Sequence, residues 1–352
     1  MGDRGSGFPI DDPGPVSGDI MLSFTILLTC LNEDKRIGAA ISSLLNDHFR
    51  ENGEMIVLDG GSGDATCDIV RGFISQGWPI RLSHNPARIQ SEGLNLGARE
   101  AKGAYIIRAD AHCIYPPRYV ERCLEMLERP EVANAGGIMY SVGERPVQRA
   151  IALAMRHPVG VGDAKYHLGN HRGYYDGVYL GAFKREIFDR IGGYDPSVHP
   201  NEDADLNMRI LAAGAKIWLD GSLRVTYFPR DSFPQLFLQY FNYGRGRIRT
   251  TLKHRRFTSW RQVLPPLLVV SLVEALGLSF FRPAFLFWIA IYLSCVLTVA
   301  LAGRFEPKPD FPTRLLIFPS FLVMHIAWGL GFLTGLAARL LQRPLDIFRR
   351  HQ

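Results

Sequence analysis

Short apolar runs alternate with amphipathic helical patterns from residue 24 to residue 110, and this order restricts the fold more than any other feature of the chain. The runs FTILLT, EMIVLD, IRLSH and AYIIRAD are typical of buried strands, and the segments between them repeat apolar residues at helical spacing. The alternation predicts a mostly parallel sheet with helices on both faces. In such a sheet ligands bind beyond the carboxyl ends of the strands, so the polar residues there are the first candidates for function.

Polar side chains follow three of these four strands. Asn32, Glu33 and Asp34 follow the first, Asp59 follows the second, and Asp110 and His112 follow the fourth. A carboxylate beside glycines that admit a ligand to the backbone, as in DGGSGD, can accept a hydrogen bond from a base N–H. The chain has neither a G-x-G-x-x-G pattern after the first strand nor a Walker A motif, so a dinucleotide site and a P-loop are unsupported. The Asp-Ala-His triplet is either a metal site at a strand end or a polar strand end turning into a loop.

A second group of acids lies in the segment HPNEDADLNMRI, residues 199–210. From Ala204 onward the segment has helical periodicity, which places Glu202 and Asp203 at the start of the helix. N-terminal capping and compensation of the helix dipole account for one carboxylate, but not for three acids in four residues. This accumulation favours a general base held at the mouth of a cleft.

The chain carries a net charge of +6, but its basic residues are concentrated rather than dispersed. Seven lysines or arginines and no acid lie from Arg245 to Arg261, directly before a long apolar region. Such a cluster is typical of the cytoplasmic edge of a membrane segment, with its anionic lipid headgroups, and we therefore expect no nucleic-acid partner. The five cysteines are odd in number and none has metal-ligand spacing, so a reducing cytosolic setting is expected.

Three hydrophobic segments follow, at residues 263–281, 284–302 and 315–338. At about 1.5 Å per residue, the first two would each form a helix roughly 28 Å long, about one hydrocarbon core. Two prolines at the start of the first segment and Glu274 in its middle weaken it as a span and leave open a re-entrant or interfacial helix. Two spans would keep the arginine-rich tail on the cytoplasmic side and three would not, so the number, two or three, stays open.

The remaining segments are short. Residues 1–21 are rich in Gly, Pro and Asp and predict a disordered lead-in rather than a signal peptide. Residues 231–262 and 339–352 predict basic interfacial segments on either side of the membrane helices, residues 263–338. The aromatic stripe that opens the first of these segments suits a core-facing helix and an interfacial helix equally.

Five motifs occur in one order along the chain: TILLTCLNED, EMIVLDGGSGDAT, SEGLNLGAREAKGAYIIRADAH, GAFKREIFDRIGGYD and NEDADLNMRILAAG. In this order they resemble family 2 glycosyltransferases of the GT-A fold. The Asp-x-His triplet before Tyr-Pro-Pro, together with QYFNYGRGRIRT, is similar to the succinoglycan-type bacterial exopolysaccharide glucosyltransferases. The resemblance covers about residues 22–255. It implies an α/β GT-A catalytic domain, residues 22–230, followed by an α-helical membrane region.

The resemblance also implies a metal-dependent enzyme that inverts the anomeric carbon. The family's triplet is Asp-x-Asp, whose last acid binds Mn²⁺ or Mg²⁺, so the implied ligands here are Asp110 and His112. Imidazole suits Mn²⁺ better than Mg²⁺, which makes a preference for manganese a hypothesis, and a purely structural histidine is the alternative. The implied nucleotide-binding residues are Thr29, Leu31, Asn32, Glu33, Asp59, Arg88 and Asp110.

On the acceptor side, the resemblance assigns two acids and two small residues. Asp203 matches the general base that deprotonates the acceptor hydroxyl, and Glu202 would orient or hold the acceptor. Gly181 and Ala182 would line the acceptor side of the site.

Arg245 and Arg247 stand where processive synthases carry a Gln-x-x-Arg-Trp signature, and they either bind the donor diphosphate or contact phospholipid headgroups. The chain lacks the tryptophan of that signature, which favours transfer of a single sugar. The implied reaction moves a sugar from a UDP-sugar, with UDP-glucose preferred, to a sugar on a polyprenyl diphosphate. It would occur at the bacterial inner membrane, with the catalytic domain in the cytosol. The alternatives are direct transfer to polyprenyl phosphate, processive synthesis, and a catalytically silent scaffold that binds a nucleotide sugar.

Overall fold

The computed structural model describes residues 23–169, 171–255 and 259–342. The predicted lead-in, residues 1–21, and residues 343–352 of the predicted tail lie outside these ranges. Within the described residues, nine strands form one sheet. They are β1 (Phe24–Cys30), β2 (Gly53–Asp59), β3 (Ile80–His84), β4 (Tyr105–Asp110), β5 (Cys113–Ile114), β6 (Val132–Ser141), β7 (Arg172–Tyr174), β8 (Tyr179–Lys184) and β9 (Lys216–Tyr227).

The sheet has a parallel half and a mixed half. Its strand order is β3-β2-β1-β4-β8-β6-β9-β5, with β7 paired to β9. Strands β1 to β4 are mutually parallel, which confirms the architecture predicted from the alternation of strands and helices. Strand β8 runs antiparallel to both of its neighbours, β4 and β6. On the far side β6 and β9 are parallel, whereas β5 and β7 run antiparallel to β9.

Fourteen α-helices accompany the sheet in the described part of the chain. The first seven are α1 (Ile37–Leu44), α2 (Asp47–Asn52), α3 (Thr66–Ser75), α4 (Gln90–Glu100), α5 (Tyr119–Leu127), α6 (Pro146–Met155) and α7 (Pro158–Val161). The others are α8 (Lys165–Leu168), α9 (Arg185–Ile191), α10 (Glu202–Ala212), α11 (Phe233–His254), α12 (Leu264–Ser279), α13 (Leu286–Ala302) and α14 (Phe311–Gln342).

Strand β1 is the centre of the parallel half, because it lies between β2 and β4 and is covered on both faces. Ile26 and Leu28 belong to the apolar cluster on one face, whereas Leu27 belongs to the cluster on the other. This explains why the strand is a continuous apolar run rather than an alternating one. Helix α4 approaches the sheet so closely that a Cβ on Gly97 would lie 2.8 Å from side-chain atoms of Leu27 and Leu58. The close approach fixes the helix that follows β3 against the strand ends.

The C-terminal helices include two that are long and apolar enough to cross a membrane, Pro283–Ala302 and Phe311–Leu341. The first of the three predicted segments forms α12, which has 16 residues and is shorter than a span. The predicted number of two or three candidate spans is thereby reduced to two.

Helix α14 also belongs to the main apolar core of the protein. Phe321 and Ile317 have no exposed surface, and Met324 has 1%. They belong to the same cluster as Ile151 and Leu153 of α6. Residues of α11 also approach α14 closely, because a Cβ on Gly331 would lie 2.0 Å from the carbonyl oxygen of Phe241. The α/β domain and the last helix therefore share one core.

The aromatic stripe of α11 is divided between the core and the surface. Leu236 has no exposed surface and Tyr240 keeps only 8%, so these two residues face the core. Phe237 is 38% exposed and stacks on Phe241 with their ring centroids 6.0 Å apart. The core-facing interpretation describes Leu236 and Tyr240, and the interfacial interpretation stays a prediction for the exposed side of the helix.

Candidate active site

The carboxyl ends of β1 and β4 lie side by side, with Thr29 in register with Asp110. Gln90, the first residue of α4, connects them: its Nε2 donates to Thr29 Oγ1 at 3.0 Å and to Asp110 Oδ1 at 2.9 Å. Its Oε1 accepts from Arg108 Nη2 at 3.0 Å. One amide therefore fixes the carboxylate of Asp110 and the guanidinium of Arg108 at the same sheet edge.

Asp110 and His112 offer metal-ligand atoms that lie within 4.8 Å of one another and of the Cys113 thiol. Burial raises the pKa of Cys113 far above its usual range, and a protonated thiol is a poorer metal ligand than a carboxylate or an imidazole. Its sulfur instead lies 3.2 Å from the Tyr179 hydroxyl. One carboxylate oxygen and one imidazole nitrogen remain, a set that suits Mn²⁺ and leaves coordination positions for phosphate oxygens and water.

His112 is held by a carboxylate on the first strand-end loop. Its Nδ1 lies 3.3 Å from Glu33 Oε1, and its ring meets the Tyr227 ring edge-on with centroids 5.4 Å apart. Burial and the positive charge of Arg230 oppose protonation of His112, but Glu33 and Asp110 outweigh them and raise its pKa. A carboxylate beside one ring nitrogen orients the ring and fixes which nitrogen is free for a metal. This role for Glu33 differs from the predicted contact with the nucleotide.

The nucleotide-binding residues predicted after β1 and β2 form two loops tied to each other. Asn32 Oδ1 accepts from the Gly63 N–H at 2.9 Å, and the Asn32 N–H donates to Ser62 Oγ at 2.9 Å. Asp59 closes its own turn by accepting from Gly61 N–H at 2.9 Å and from Ser62 Oγ at 2.5 Å. Although burial opposes it, these hydrogen bonds lower the pKa of Asp59 and keep the carboxylate ionised.

Two further residues of the predicted nucleotide set lie beside these loops, Leu31 directly after β1 and Arg88 on the loop between β3 and α4. Leu31 is 44% exposed, and the Arg88 guanidinium packs against Gly61, where a Cβ would lie 3.2 Å from Arg88 Nη2. These loops flank the strand ends but do not line the large cleft described below. The structure brings together Leu31, Asn32, Asp59 and Arg88 on one side of the site.

Asp203 faces a buried arginine that the sequence analysis did not identify. The Arg108 side chain is 5% exposed, forms an ion pair with Asp203, and places its Nε 3.7 Å from Asp110 Oδ1. The sequence YIIRAD did contain a signal for this residue, because it places an arginine in a strand predicted to be buried. Arginine is rarely buried unless it is paired with an acid, so an acidic partner could have been expected. Arg108 thus connects the candidate metal ligand with the candidate base.

The first two acids of α10 have different surroundings. The Asp203 side chain keeps 49% of its surface accessible to the cleft, whereas that of Glu202 keeps 3%. Burial at the base of the cleft raises the pKa of Asp203 to about 6, with Glu202 and Asp110 adding to the effect and Arg108 opposing it. Burial acts in the same sense on Glu202, but His199, at 3.3 Å, and Arg108 prevail and lower its pKa. The accessible Asp203, with a pKa near neutrality, has the properties of a general base.

Gly181 and Ala182 lie inside the sheet rather than on the cleft. Ala182 has no exposed surface and is in register with Ile107 of β4 and Ala135 of β6. Strand β8 begins at Tyr179, so both residues fall within the strand and its side chains pack in the core. Residues 176–179, which come just before them, line the large cleft instead.

A single cleft of about 1790 Å³ begins at Asp110 and His112, passes Asp203, and reaches the C-terminal helices. Six arginines and four carboxylates line it. At its far end the lining consists largely of apolar and aromatic side chains from α12, α13 and α14: Leu264, Leu268, Trp288, Tyr292, Met324 and Trp328. The site therefore joins a charged end to an apolar end.

Arg245 and Arg247 both line the cleft but lie on different sides of α11, because residues two apart on a helix are separated by about 200°. The Arg245 guanidinium is 5.9 Å from the centre of the Phe241 ring, and its backbone lies beside Gly335 of α14. Arg247 lies instead near Arg261, and both act electrostatically on Asp176. The two arginines therefore have different surroundings within the same cleft, and binding of the donor diphosphate by one or both stays a prediction.

Comparison with known proteins identifies the family. The family model described as glycosyl transferase family 2 matches residues 25–192. The chain is 34% identical over 316 residues to the succinoglycan biosynthesis protein ExoA of Rhizobium meliloti, a match that spans 88% of this chain and 94% of that protein.

Two more distant proteins extend the comparison. A dolichyl N-acetyl-alpha-D-glucosaminyl phosphate 3-beta-D-2,3-diacetamido-2,3-dideoxy-beta-D-glucuronosyltransferase of Methanococcus voltae is 22% identical over 63% of this chain and 72% of its own length. The mannosyltransferase PcManGT from Pyrobaculum calidifontis, solved with GDP-Man and Mn²⁺, has a TM-score of 0.55 and 18% identity. That structural match covers 94% of this chain and 91% of the mannosyltransferase. From the fold and these similarities, the chain belongs to glycosyltransferase family 2 and its catalytic domain has the GT-A fold.

Proposed function

We propose that this enzyme transfers one sugar from a UDP-sugar, with UDP-glucose as the preferred donor, to a sugar carried on a polyprenyl diphosphate. The observation that carries the proposal is the continuous cleft from Asp110 and His112, past Asp203, to the apolar surface of the C-terminal helices. A soluble acceptor would not need the apolar end. The similarity to a succinoglycan biosynthesis protein supports a role in exopolysaccharide synthesis.

Asp203 is the proposed general base. Because its pKa is about 6, it is mostly ionised at neutral pH and can take the proton of the acceptor hydroxyl as the new glycosidic bond forms. Arg108 neutralises part of the negative charge that Asp203, Glu202 and Asp110 bring together. A base on one face of the sugar and a leaving diphosphate on the other produce inversion at the anomeric carbon.

Asp110 and His112 are the proposed ligands of Mn²⁺, with Mg²⁺ as the alternative. When bound, the ion would neutralise the charge of the leaving diphosphate. Glu33 keeps the His112 ring in position, and Gln90 holds the Asp110 carboxylate. The GDP-Man and Mn²⁺ named for PcManGT agree with a nucleotide-sugar donor and a divalent ion, although that similarity alone concerns the fold.

The proposed site of action is the cytoplasmic face of the bacterial inner membrane. Pro283–Ala302 and Phe311–Leu341 would be the two spans, and only 11% of the apolar window of the first is buried within the protein. Two spans return the chain to the side on which it entered, which keeps the arginine-rich tail and the catalytic domain in the cytosol. Helix α12, too short to span, would lie at the interface.

The proposal is tested by transfer of labelled sugar from a panel of UDP-sugars into lipid extract. Purified enzyme with Mn²⁺ is assayed with a sugar-bearing polyprenyl diphosphate, with polyprenyl phosphate, and with neither, for the native chain and Asp203→Asn. We expect transfer only to the sugar-bearing acceptor, with loss of at least about a hundredfold in the variant because a general base typically contributes that much.

The matched control is Asp189→Asn, an exposed acid on α9 that is paired with Arg185, and it should keep full activity. Transfer to polyprenyl phosphate would identify the alternative acceptor, and long products would identify a processive synthase. Binding of UDP without sugar transfer to any acceptor would reject the proposed transferase activity and favour a catalytically silent scaffold.

A further inference from the structure

Arg247 differs from Arg249, which lies two residues on along α11, in having neither an ion pair nor a hydrogen bond with the described residues. Within the part of the chain that the structure describes, its guanidinium makes no ion pair and no hydrogen bond. Arg249, two residues on, donates from Nη1 to the carbonyl oxygen of His199 at 2.8 Å. Burial opposes the charge of Arg247 and lowers its pKa, with Arg261 acting in the same sense. An arginine side chain nevertheless stays charged at neutral pH, so a cation with no ion-paired carboxylate among the described residues lines the cleft.

The groups around Arg247 leave it positive. Arg261 forms an ion pair with Asp163, so that carboxylate is already engaged. Asp176 acts electrostatically on both arginines, and burial raises its pKa, but among the described residues no hydrogen bond or ion pair joins it to either of them. Tyr166 is the remaining titratable group that acts on Arg247. An anion bound between Arg247 and Arg261 would therefore find two guanidinium groups, which match phosphate oxygens in geometry as well as in charge.

This positive region lies between the catalytic end and the apolar end of the cleft. On the catalytic side, Gly177 follows Asp176 and lies against Asn207, where a Cβ would be 3.0 Å from Nδ2. Asn207 is one helical turn after Asp203. The segment that contains Asp176 therefore contacts α10, the helix that carries the candidate base.

On the other side the region meets α14. A Cβ on Gly162 would lie 2.9 Å from Cδ of Arg261, and a Cβ on Gly160 would lie 2.9 Å from Cε of Met324. His325 fixes the same loop, with Nε2 2.6 Å from the carbonyl oxygen of Val159. A ligand with its anionic group at Arg247 would thus have the base on one side and apolar helices on the other.

We propose that Arg247 and Arg261 bind the phosphate groups of the lipid-linked acceptor and not the diphosphate of the nucleotide donor. This inference rests on the proposed function and deepens it, because it assigns each part of the acceptor to a position along the cleft. The sugar lies at Asp203, the diphosphate at Arg247, and the polyprenyl chain against α12 and α14. The donor diphosphate belongs at the opposite end, beside Asp110 and His112.

The test measures equilibrium binding of two probes to the full-length protein in detergent. Geranylgeranyl diphosphate, compared with geranylgeraniol, reports the acceptor phosphate site, and UDP with Mn²⁺ reports the donor site. For Arg247→Met we expect at least tenfold weaker binding of the diphosphate, unchanged binding of the alcohol, and unchanged binding of UDP. Arg230→Met is the matched control beside His112, and it should weaken UDP binding while leaving the prenyl diphosphate unaffected.

Weaker UDP binding by Arg247→Met, with the prenyl diphosphate unaffected, would assign the arginine to the donor and overturn the inference. Equal affinity of the native protein for the diphosphate and the alcohol would also overturn it. If the methionine variant does not fold, Arg247→Lys replaces it in the same three binding measurements, with the prenyl diphosphate, the alcohol and UDP. This variant keeps the positive charge but loses the forked geometry of the guanidinium group.

Flotation with phosphatidylglycerol vesicles separates an acceptor site from a headgroup contact. Arg247→Met should float as the native protein does, and a loss of flotation would assign the arginine to lipid headgroups and reject the inference. The transfer assay is independent of these measurements. Absence of sugar transfer together with Arg247-dependent binding of the prenyl diphosphate would reject the proposed reaction and leave the anion site in place.

Discussion

Replacing Arg108 with methionine should move the acid limb of the activity profile toward neutral pH. Arg108 is the one cation that the structure places in direct contact with Asp203 among the described residues, and its charge opposes the rise in the pKa of that base. Methionine keeps much of the volume of the side chain but removes the charge. The variant therefore isolates the electrostatic contribution of Arg108 to the ionisation of Asp203.

The size of the shift follows from the contact. An opposite charge within about 4–6 Å typically lowers an aspartate pKa by about one to three units. Half of the Asp203 side chain is accessible in the cleft, where solvent weakens the interaction, so the lower part of that range applies. From a native pKa of about 6, the variant should reach roughly 7 to 8. The ionised fraction at pH 7 would then fall from about nine-tenths to between about a half and a tenth.

The assay is kcat/KM for sugar transfer from pH 5 to 9 at saturating Mn²⁺. A base must be ionised to act, so activity is present above the pKa of Asp203 and lost as pH falls through it. The native limb should lie near pH 6. Arg108→Met should lose activity at pH 7 and recover most of it by pH 9, whereas Arg108→Lys, which keeps a cation, should stay near the native profile. An equal loss at every pH, with the limb unmoved, would refute the assignment of Asp203 as the titrating base.

Three other substitutions test separate parts of the structure. His112→Asp should shift the metal preference from Mn²⁺ toward Mg²⁺ in transfer assays, because oxygen ligands suit Mg²⁺ better, and an unchanged ratio would contradict a ligand role. Glu33→Gln should weaken Mn²⁺ binding, measured by electron paramagnetic resonance of the free ion, by about ten- to a hundredfold. Weaker UDP binding with unchanged Mn²⁺ binding would instead support the nucleotide contact. Phe321→Ala should destabilise the protein by about 3–5 kcal/mol in denaturant unfolding, whereas Phe287→Ala, at a side chain 71% exposed, should have little effect.

The parallel half of the sheet could be predicted because its information is local. Strands β1, β2 and β4 are nearly continuous apolar runs, since both of their faces are buried, and their carboxyl ends carry the polar residues. The register of the parallel strands then determines which of these residues are neighbours. It places Thr29 beside Asp110 and Cys30 beside Asp59, and no side-chain motif is needed for this. Residues placed at those ends from sequence therefore lie close together in the structure.

The connections between the candidate base and the sheet could not be predicted in the same way. Arg108 and Asp203 are 95 residues apart, and no period in the sequence encodes that contact. Nothing in the sequence distinguishes Gln90 from any other residue at the start of a helix. In the structure, however, its side chain forms hydrogen bonds with Thr29, Asp110 and Arg108. The insertion of antiparallel β8 between β4 and β6 is equally non-local, and it explains why Gly181 and Ala182 lie in the core rather than on the cleft.

Helix α14 shows why hydropathy alone could not divide the chain into a catalytic domain and a membrane region. Phe311 and Phe321 are the same residue type ten positions apart, but one is 71% exposed and the other has no exposed surface. An exposed side chain and one facing the core satisfy the same apolar pattern, so only the packing against α6 and α11 separates them.

This packing has a consequence for the proposed reaction. The helix that would cross the membrane also supports the loop of residues 158–163, which positions Arg261 at the phosphate end of the cleft. Removal of residues 263–342 should therefore abolish both the stability of the catalytic domain and the proposed acceptor site, rather than release a soluble enzyme.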